Sequence, residues 1–105
     1  MNEHYFWTGL ADFKTDYMPL NAIGVVARIV THAESYEAFY EKVDQMYRNE
    51  GWVLNYINES SRVSEFLFEE WVTEDHEIHE MLEQAKKCPN DVVHGEFAYY
   101  THNDA

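Results

Sequence analysis

The chain has 105 residues and a formal net charge of −13, with 20 acidic against 7 basic side chains. This balance excludes a typical nucleic-acid-binding protein and a protein of anionic membrane surfaces, because phosphate contacts need lysine and arginine. Cys88 is the only cysteine, which excludes an intramolecular disulfide and favours a reducing, cytoplasmic location.

Residues 1–21 are expected to form an irregular leader. They hold too many aromatic and apolar side chains, Trp7 and Phe13 among them, for a disordered tail. No basic segment followed by an apolar run begins the chain, so no signal peptide is expected. We predict that the leader packs on the domain or on a partner subunit, and that residues 22–105 form a single domain.

The next predicted elements are a strand, a helix and a second strand. Residues 22–31 carry apolar side chains on both faces of an extended chain, which is typical of a central strand. Residues 34–48 repeat apolar side chains at steps of three and four, which predicts a helix. Gly51 can adopt the left-handed conformation that ends this helix, and residues 52–58 follow as the second strand.

A hairpin, a third strand, a second helix and a last strand are predicted for the rest of the chain. The polar residues 59–62 predict the hairpin connection, and the apolar residues 63–72 predict the third strand. Thr73 has a capping side chain for a helix over residues 73–87, and residues 92–101 form the last strand. The buried stripe of this second helix is predicted to be Ile78, Met81, Leu82 and Ala85.

The order βαββαβ predicts an α+β fold, the ferredoxin-like plait. In this fold a four-stranded antiparallel sheet carries two helices on one face. The sequence places apolar side chains on the other face as well. Because a bare apolar face needs a cover in water, we predict a homodimer joined sheet to sheet.

Three passages resemble the dimeric α+β-barrel superfamily, and within it the antibiotic-biosynthesis monooxygenases. They are residues 24–29 (GVVARI), residues 49–56 (NEGWVLNY) and residues 66–71 (FLFEEW). The resemblance implies a small monooxygenase that works without a cofactor or a metal. It also implies a histidine about two turns into the second helix, for which His79 is the best match, with His76 one turn before it.

The aromatic content, 16% of the chain, is high for one small core and suggests a pocket that accepts a flat phenol or quinol. In such a pocket His79 or His94 would take the proton and Asn55 or Asn58 would hold a developing oxyanion. Aromatic side chains at these spacings are more often part of a plain core. The candidate lining side chains are Tyr40, Tyr56, Phe68, Trp71 and His94.

The second predicted helix leaves other roles open. His76 and His79 share a helix face with Glu80 and Glu83, a spacing that suits a divalent metal but is more common on solvated helices. No metal site is therefore predicted. Residues 59–83 hold nine acidic side chains and one arginine. An acidic inhibitor, such as an immunity protein or a nucleic-acid mimic that blocks a basic partner, is the alternative function.

Overall fold

A computed structural model of the chain describes residues 5–16, 21–66 and 76–101. The fold is mixed α+β, as predicted. No helix in these ranges is long and apolar enough to cross a membrane. The elements in chain order are β1 (Phe6–Thr15), β2 (Gly24–His32), α1 (Tyr36–Arg48), β3 (Trp52–Arg62), α2 (Val63–Phe66), α3 (His76–Lys87), β4 (Val93–His94) and β5 (Ala98–Tyr100).

The described strands form one antiparallel sheet in the order β3-β1-β2-β4. Strand β5 also pairs with β2, at residues 24–26, whereas β4 pairs with β2 at Ile29 and Val30. Because β1 is antiparallel to both β2 and β3, these two strands run parallel to each other on either side of it. Helix α1 connects them. Two parallel strands joined by a helix, with another strand inserted between them, form a split β-α-β unit.

The N-terminal segment supplies the central strand β1. It pairs with β2 from Phe6 to Phe13 and with β3 from Trp7 to Thr15. The prediction of an irregular leader was therefore wrong for residues 6–15. Nearly every side chain of β1 is buried, on both faces, so the strand lacks the polar alternation that marks a half-buried strand.

Helices α1 and α3 pack on opposite faces of the sheet. Ile29 of β2 lies in one core cluster with Phe39 of α1, whereas the next residue, Val30, lies in another cluster with Ile78 of α3. Adjacent residues of a strand point to opposite faces. The prediction of two helices on one face was therefore wrong, because a strand's apolar pattern records burial but not which helix provides the cover.

Strand β3 is longer than predicted and takes in the segment expected to be a hairpin. Residues 59–62 belong to it, with a bulge where Glu59 has a φ of 53° and the register against β1 shifts. β3 ends opposite the beginning of β1, so the chain leaves the sheet there. Residues 63–66, predicted to open a third strand, form the helical turn α2. The remainder of that predicted strand, residues 67–72, lies outside the described residues.

Several local predictions are confirmed. Helix α1 lies within the predicted range 34–48, and Gly51 follows it with a φ of 87°. Ser35, which was not predicted as a cap, begins the helix by accepting a hydrogen bond from the Ala38 amide at 3.2 Å. The predicted last strand is present but divided into β4 and β5 by residues 95–97. The predicted stripe of α3 is buried: Ile78, Met81, Leu82 and Ala85.

Candidate functional site

A cavity of about 360 Å³ opens beside the end of α1. Helix α1 and the turn after it contribute Met46, Tyr47 and Glu50, and β3 contributes its first residue, Trp52. We call this space the Trp52 cavity. The segment around β4 lines the other side with Asp91, Val92, His94 and Phe97.

Aromatic rings form a continuous wall of this cavity. The ring centroids of Trp52 and Phe97 are 5.0 Å apart, and those of Trp52 and Tyr47 are 6.0 Å apart. The buried Phe13 of β1 supports this wall, with its ring 5.6 Å from Trp52 at 75°. Because each ring is held by its neighbours, the wall is formed without any ligand.

His94 is the histidine at the Trp52 cavity. Its ring stacks on Phe97 with centroids 4.4 Å apart and planes 24° apart. Its Nδ1 lies 2.8 Å from the Gly95 carbonyl oxygen, and because that oxygen can only accept, Nδ1 carries the proton. In the neutral ring Nε2 then keeps its lone pair. His94 is thus able to accept a hydrogen bond or a proton from a ligand at Nε2.

Negative charge surrounds the same cavity. Glu50 and Asp91 are both exposed carboxylates that line it, and no lysine or arginine is among its described lining residues. The charge of Asp91 acts on Lys42, whose Nζ donates to the carbonyls of His32 at 2.8 Å and Pro89 at 2.6 Å. Burial lowers the pKa of Lys42, and the charge of Asp91 partly opposes this.

The phenol of Tyr47 is expected to make the stability of the fold depend on pH. Burial, reinforced by the charge of Glu50, raises its pKa from 10.0 to about 12. The folded state therefore holds the proton more tightly than the unfolded state, and stability present below pH 10 is lost as the pH rises toward 12. We expect this group to lower the free energy of unfolding by about 1 kcal/mol at pH 11.

Urea unfolding at pH 9 and pH 11 measures this loss. Tyr47→Phe should lose less stability between the two values than the wild type, because phenylalanine does not titrate. Tyr100, whose pKa burial and a hydrogen bond to Asp12 also raise to about 12, acts in the same direction and remains in both proteins. Equal losses in wild type and variant would contradict the role of Tyr47.

A polar network lies on the sheet face opposite α1. The buried Asp12 of β1 accepts hydrogen bonds from the Tyr100 hydroxyl at 2.9 and 3.0 Å and from Asn55 Nδ2 at 2.8 Å. The charge of Asp12 and a hydrogen bond to it raise the pKa of the exposed Tyr56. A Cβ at Gly24 would overlap the hydroxyl end of Tyr100, so glycine there lets the ring reach the carboxylate.

Two predicted site residues, His79 and Tyr40, do not line the Trp52 cavity. His79 is exposed on α3, across the sheet from α1, and only the backbone of His76 is described. Tyr40 is half-buried on α1 and packs beside Tyr36, with ring centroids 6.5 Å apart. Of the predicted histidines, only His94 lines a described cavity with aromatic walls.

Two other predicted residues meet in the Asp12 network. Asn55 and Tyr56 both lie beside Asp12, on the opposite face of the sheet from Tyr40, so they do not share one pocket with it. Asn55 already donates its amide to the Asp12 carboxylate. Phe68 and Trp71 lie outside the described residues.

Reasoning from sequence missed the main wall of the cavity. Trp52 and Phe97 were assigned to strands, and Tyr47 to the buried face of a helix. Gly95, two residues before Phe97, could have indicated that the last strand is interrupted, because glycine inside a predicted strand often marks such a break.

A second hollow, of about 570 Å³, is more open and has Tyr5, His32 and Glu34 as its described lining. Within residues 5–16, 21–66 and 76–101, no three His, Cys, Asp or Glu side chains are grouped to hold a metal ion. The chain matches no protein-family model, no curated protein and no solved structure.

Proposed function

We propose that this protein binds a flat aromatic small molecule in the Trp52 cavity. The observation that carries the proposal is the wall formed by Trp52 and Phe97, with the His94 ring stacked on its end. Offset stacking against such rings stabilises another flat ring, and a few polar groups at the edge orient it. His94 and the two carboxylates provide those polar groups.

The size of the cavity limits the ligand. Its volume of about 360 Å³ lies at the lower end of the range of small-molecule sites, about 300–1,000 Å³. One ring, or two fused rings, therefore suits the space better than an extended polycyclic molecule.

Replacing Trp52 with leucine is expected to weaken the binding of 2-naphthol by about tenfold, because the stacking surface is lost while the site stays apolar. Isothermal titration calorimetry measures the dissociation constant. Tyr36→Leu is the matched control, because Tyr36 is an exposed aromatic of α1 that does not line the cavity. An equal loss in both variants would contradict the site.

Oxygenation of the ligand, as in the family that the chain resembles, is less well supported than binding. His94 would serve as the base through Nε2. However, the phenolate so formed would lie near the charges of Glu50 and Asp91, which oppose it. Oxygen uptake on naphthalene-1,4-diol tests this chemistry, since loss of a general base in His94→Ala should slow it by about 10²-fold.

For the fold and assembly, we propose a relative of the ferredoxin-like plait that forms a homodimer. The split β-α-β unit supports the plait. Helix α3 covers part of the face opposite α1, where it packs on β2 and β4. On β3 of the same face, Val53 and Tyr56 are 59% and 49% exposed, which supports a contact between two sheets there. Light scattering at micromolar concentration should give a dimer mass, and Tyr56→Lys should give a monomer. A monomeric wild type would contradict the dimer.

An acidic inhibitor of a basic protein is the second candidate. Glu77, Glu80 and Glu83 are exposed on α3, and Glu59 is exposed on β3. Such a surface attracts a basic partner through charge complementarity. A saturable one-to-one complex with a basic nuclease, lost in Glu80→Lys, would support this function. Binding that is unchanged by Glu80→Lys would exclude this acidic surface as the contact.

A further inference from the structure

We infer that the ligand of the Trp52 cavity is a cation, a flat ring that carries a positively charged nitrogen. This inference rests on the proposed function and adds the charge of the ligand to it. The observation behind it is that two acidic and several aromatic residues line the same small space.

The first support is the charge of the lining. Glu50 and Asp91 both line the cavity, and neither forms an ion pair with another described residue. Lys42 offsets part of the Asp91 charge, but its ammonium is bound to two backbone carbonyls and does not line the cavity. The site therefore keeps a net negative charge, which a cationic ligand would neutralise.

The second support is the chemistry of the wall. Trp52, Tyr47 and Phe97 line the cavity. The faces of aromatic rings carry the negative side of the ring quadrupole, which attracts a cation within about 6 Å of the ring centroid. Tyr47 stays a neutral phenol throughout the physiological range, because its pKa is raised to about 12. Aromatic faces beside carboxylates favour alkylated and ring nitrogens that carry a positive charge.

The third support is the field of the whole chain. A net charge of −13 raises the local concentration of cations and speeds their approach. The same field repels phosphorylated or carboxylated ligands, and no lysine or arginine among the described lining residues is available to pair with them. Anionic ligands are thus disfavoured at long range and at contact.

The experiment compares two probes of the same size. N-methylquinolinium carries a fixed positive charge, and 4-methylquinoline is a neutral flat ring of matching shape at pH 7.5. Calorimetry at low salt should show the cation binding about tenfold more tightly than the neutral ring. In the double variant Glu50→Gln, Asp91→Asn this preference should fall to nearly equal binding.

The control separates the cavity from the overall charge. Glu80→Gln, Glu83→Gln removes the same charge from the exposed face of α3 and should keep the preference. If the control loses the preference as much as the cavity variant, the overall field causes it and the inference is overturned. Equal binding of both probes by the wild type would also overturn it while leaving the proposed function intact. Failure of both probes to bind would overturn the proposed function itself.

Discussion

Replacing Phe13 with alanine is expected to lower the free energy of unfolding by about 3–5 kcal/mol. Phe13 is fully buried on β1. Its ring lies 4.4 Å from the Tyr47 ring and 5.6 Å from the Trp52 ring, so alanine would leave a void beneath the Trp52 cavity. Since small domains are stable by about 5–15 kcal/mol, this loss is a large part of the total, and the urea midpoint should fall well below that of the wild type.

Urea unfolding followed by far-ultraviolet circular dichroism measures this loss. Lys14→Ala is the matched control, because Lys14 is the next residue of the strand and is exposed. The control should change stability by less than about 0.5 kcal/mol. A loss of under about 1 kcal/mol for Phe13→Ala would show that β1 is a peripheral segment and not the centre of the sheet.

The elements that could be predicted from sequence are those with a clear apolar pattern, either a helical periodicity or an apolar run. Helix α1 and the buried stripe of α3 each cover one face of the sheet, so their apolar residues recur every three or four positions. Strand β2 was recognisable as a short apolar run that ends in polar residues. In these elements burial and sequence pattern have the same geometric cause.

Strand β1 could not be recognised in the same way. Both of its faces are covered, which removes alternation, and polar residues interrupt its apolar run. Thr8 and Asp12 are buried there because partners on other strands satisfy them, Arg28 and Tyr100 among them. Those partners are distant in sequence, so a local pattern cannot reveal that a buried carboxylate is tolerated.

The end of β3 was mistaken for a turn because it is exposed, whereas β1 was missed because it is buried. As the edge strand beside β1, it exposes Asn58 and Glu59, and an exposed polar run resembles a turn. The bulge at Glu59 lets the strand continue past a residue with a positive φ. Only the register against β1 distinguishes such a bulged edge from a hairpin.

The walls of the Trp52 cavity were not predicted from sequence. Of the candidate residues, His94 lines this cavity, whereas Tyr40 and Tyr56 do not. The wall depends on the division of the last strand, which turns Phe97 toward Trp52. Spacing shows that an aromatic side chain is buried but not whether its ring fills a core or lines a cavity.

Replacing Asp12 with alanine is expected to lower the free energy of unfolding by about 2–4 kcal/mol, because hydrogen bonds to a charged group are among the stronger ones in proteins. The carboxylate is only 3% exposed and joins three strands. It accepts from Tyr100 of β5 and Asn55 of β3 while it is carried by β1. Its removal deprives both donors of their partner.

A double-mutant cycle with Tyr100→Phe isolates the central hydrogen bond of this network. Tyr100→Phe removes the hydroxyl but keeps the ring that covers Gly24. The sum of the two single losses should exceed the loss of the double variant by about 1–2 kcal/mol, because the second change finds the bond already absent. Additive losses would show that the Tyr100 hydroxyl and Asp12 act independently. In that case the carboxylate would be stabilised by its other neighbours, and the position of β5 would not depend on it.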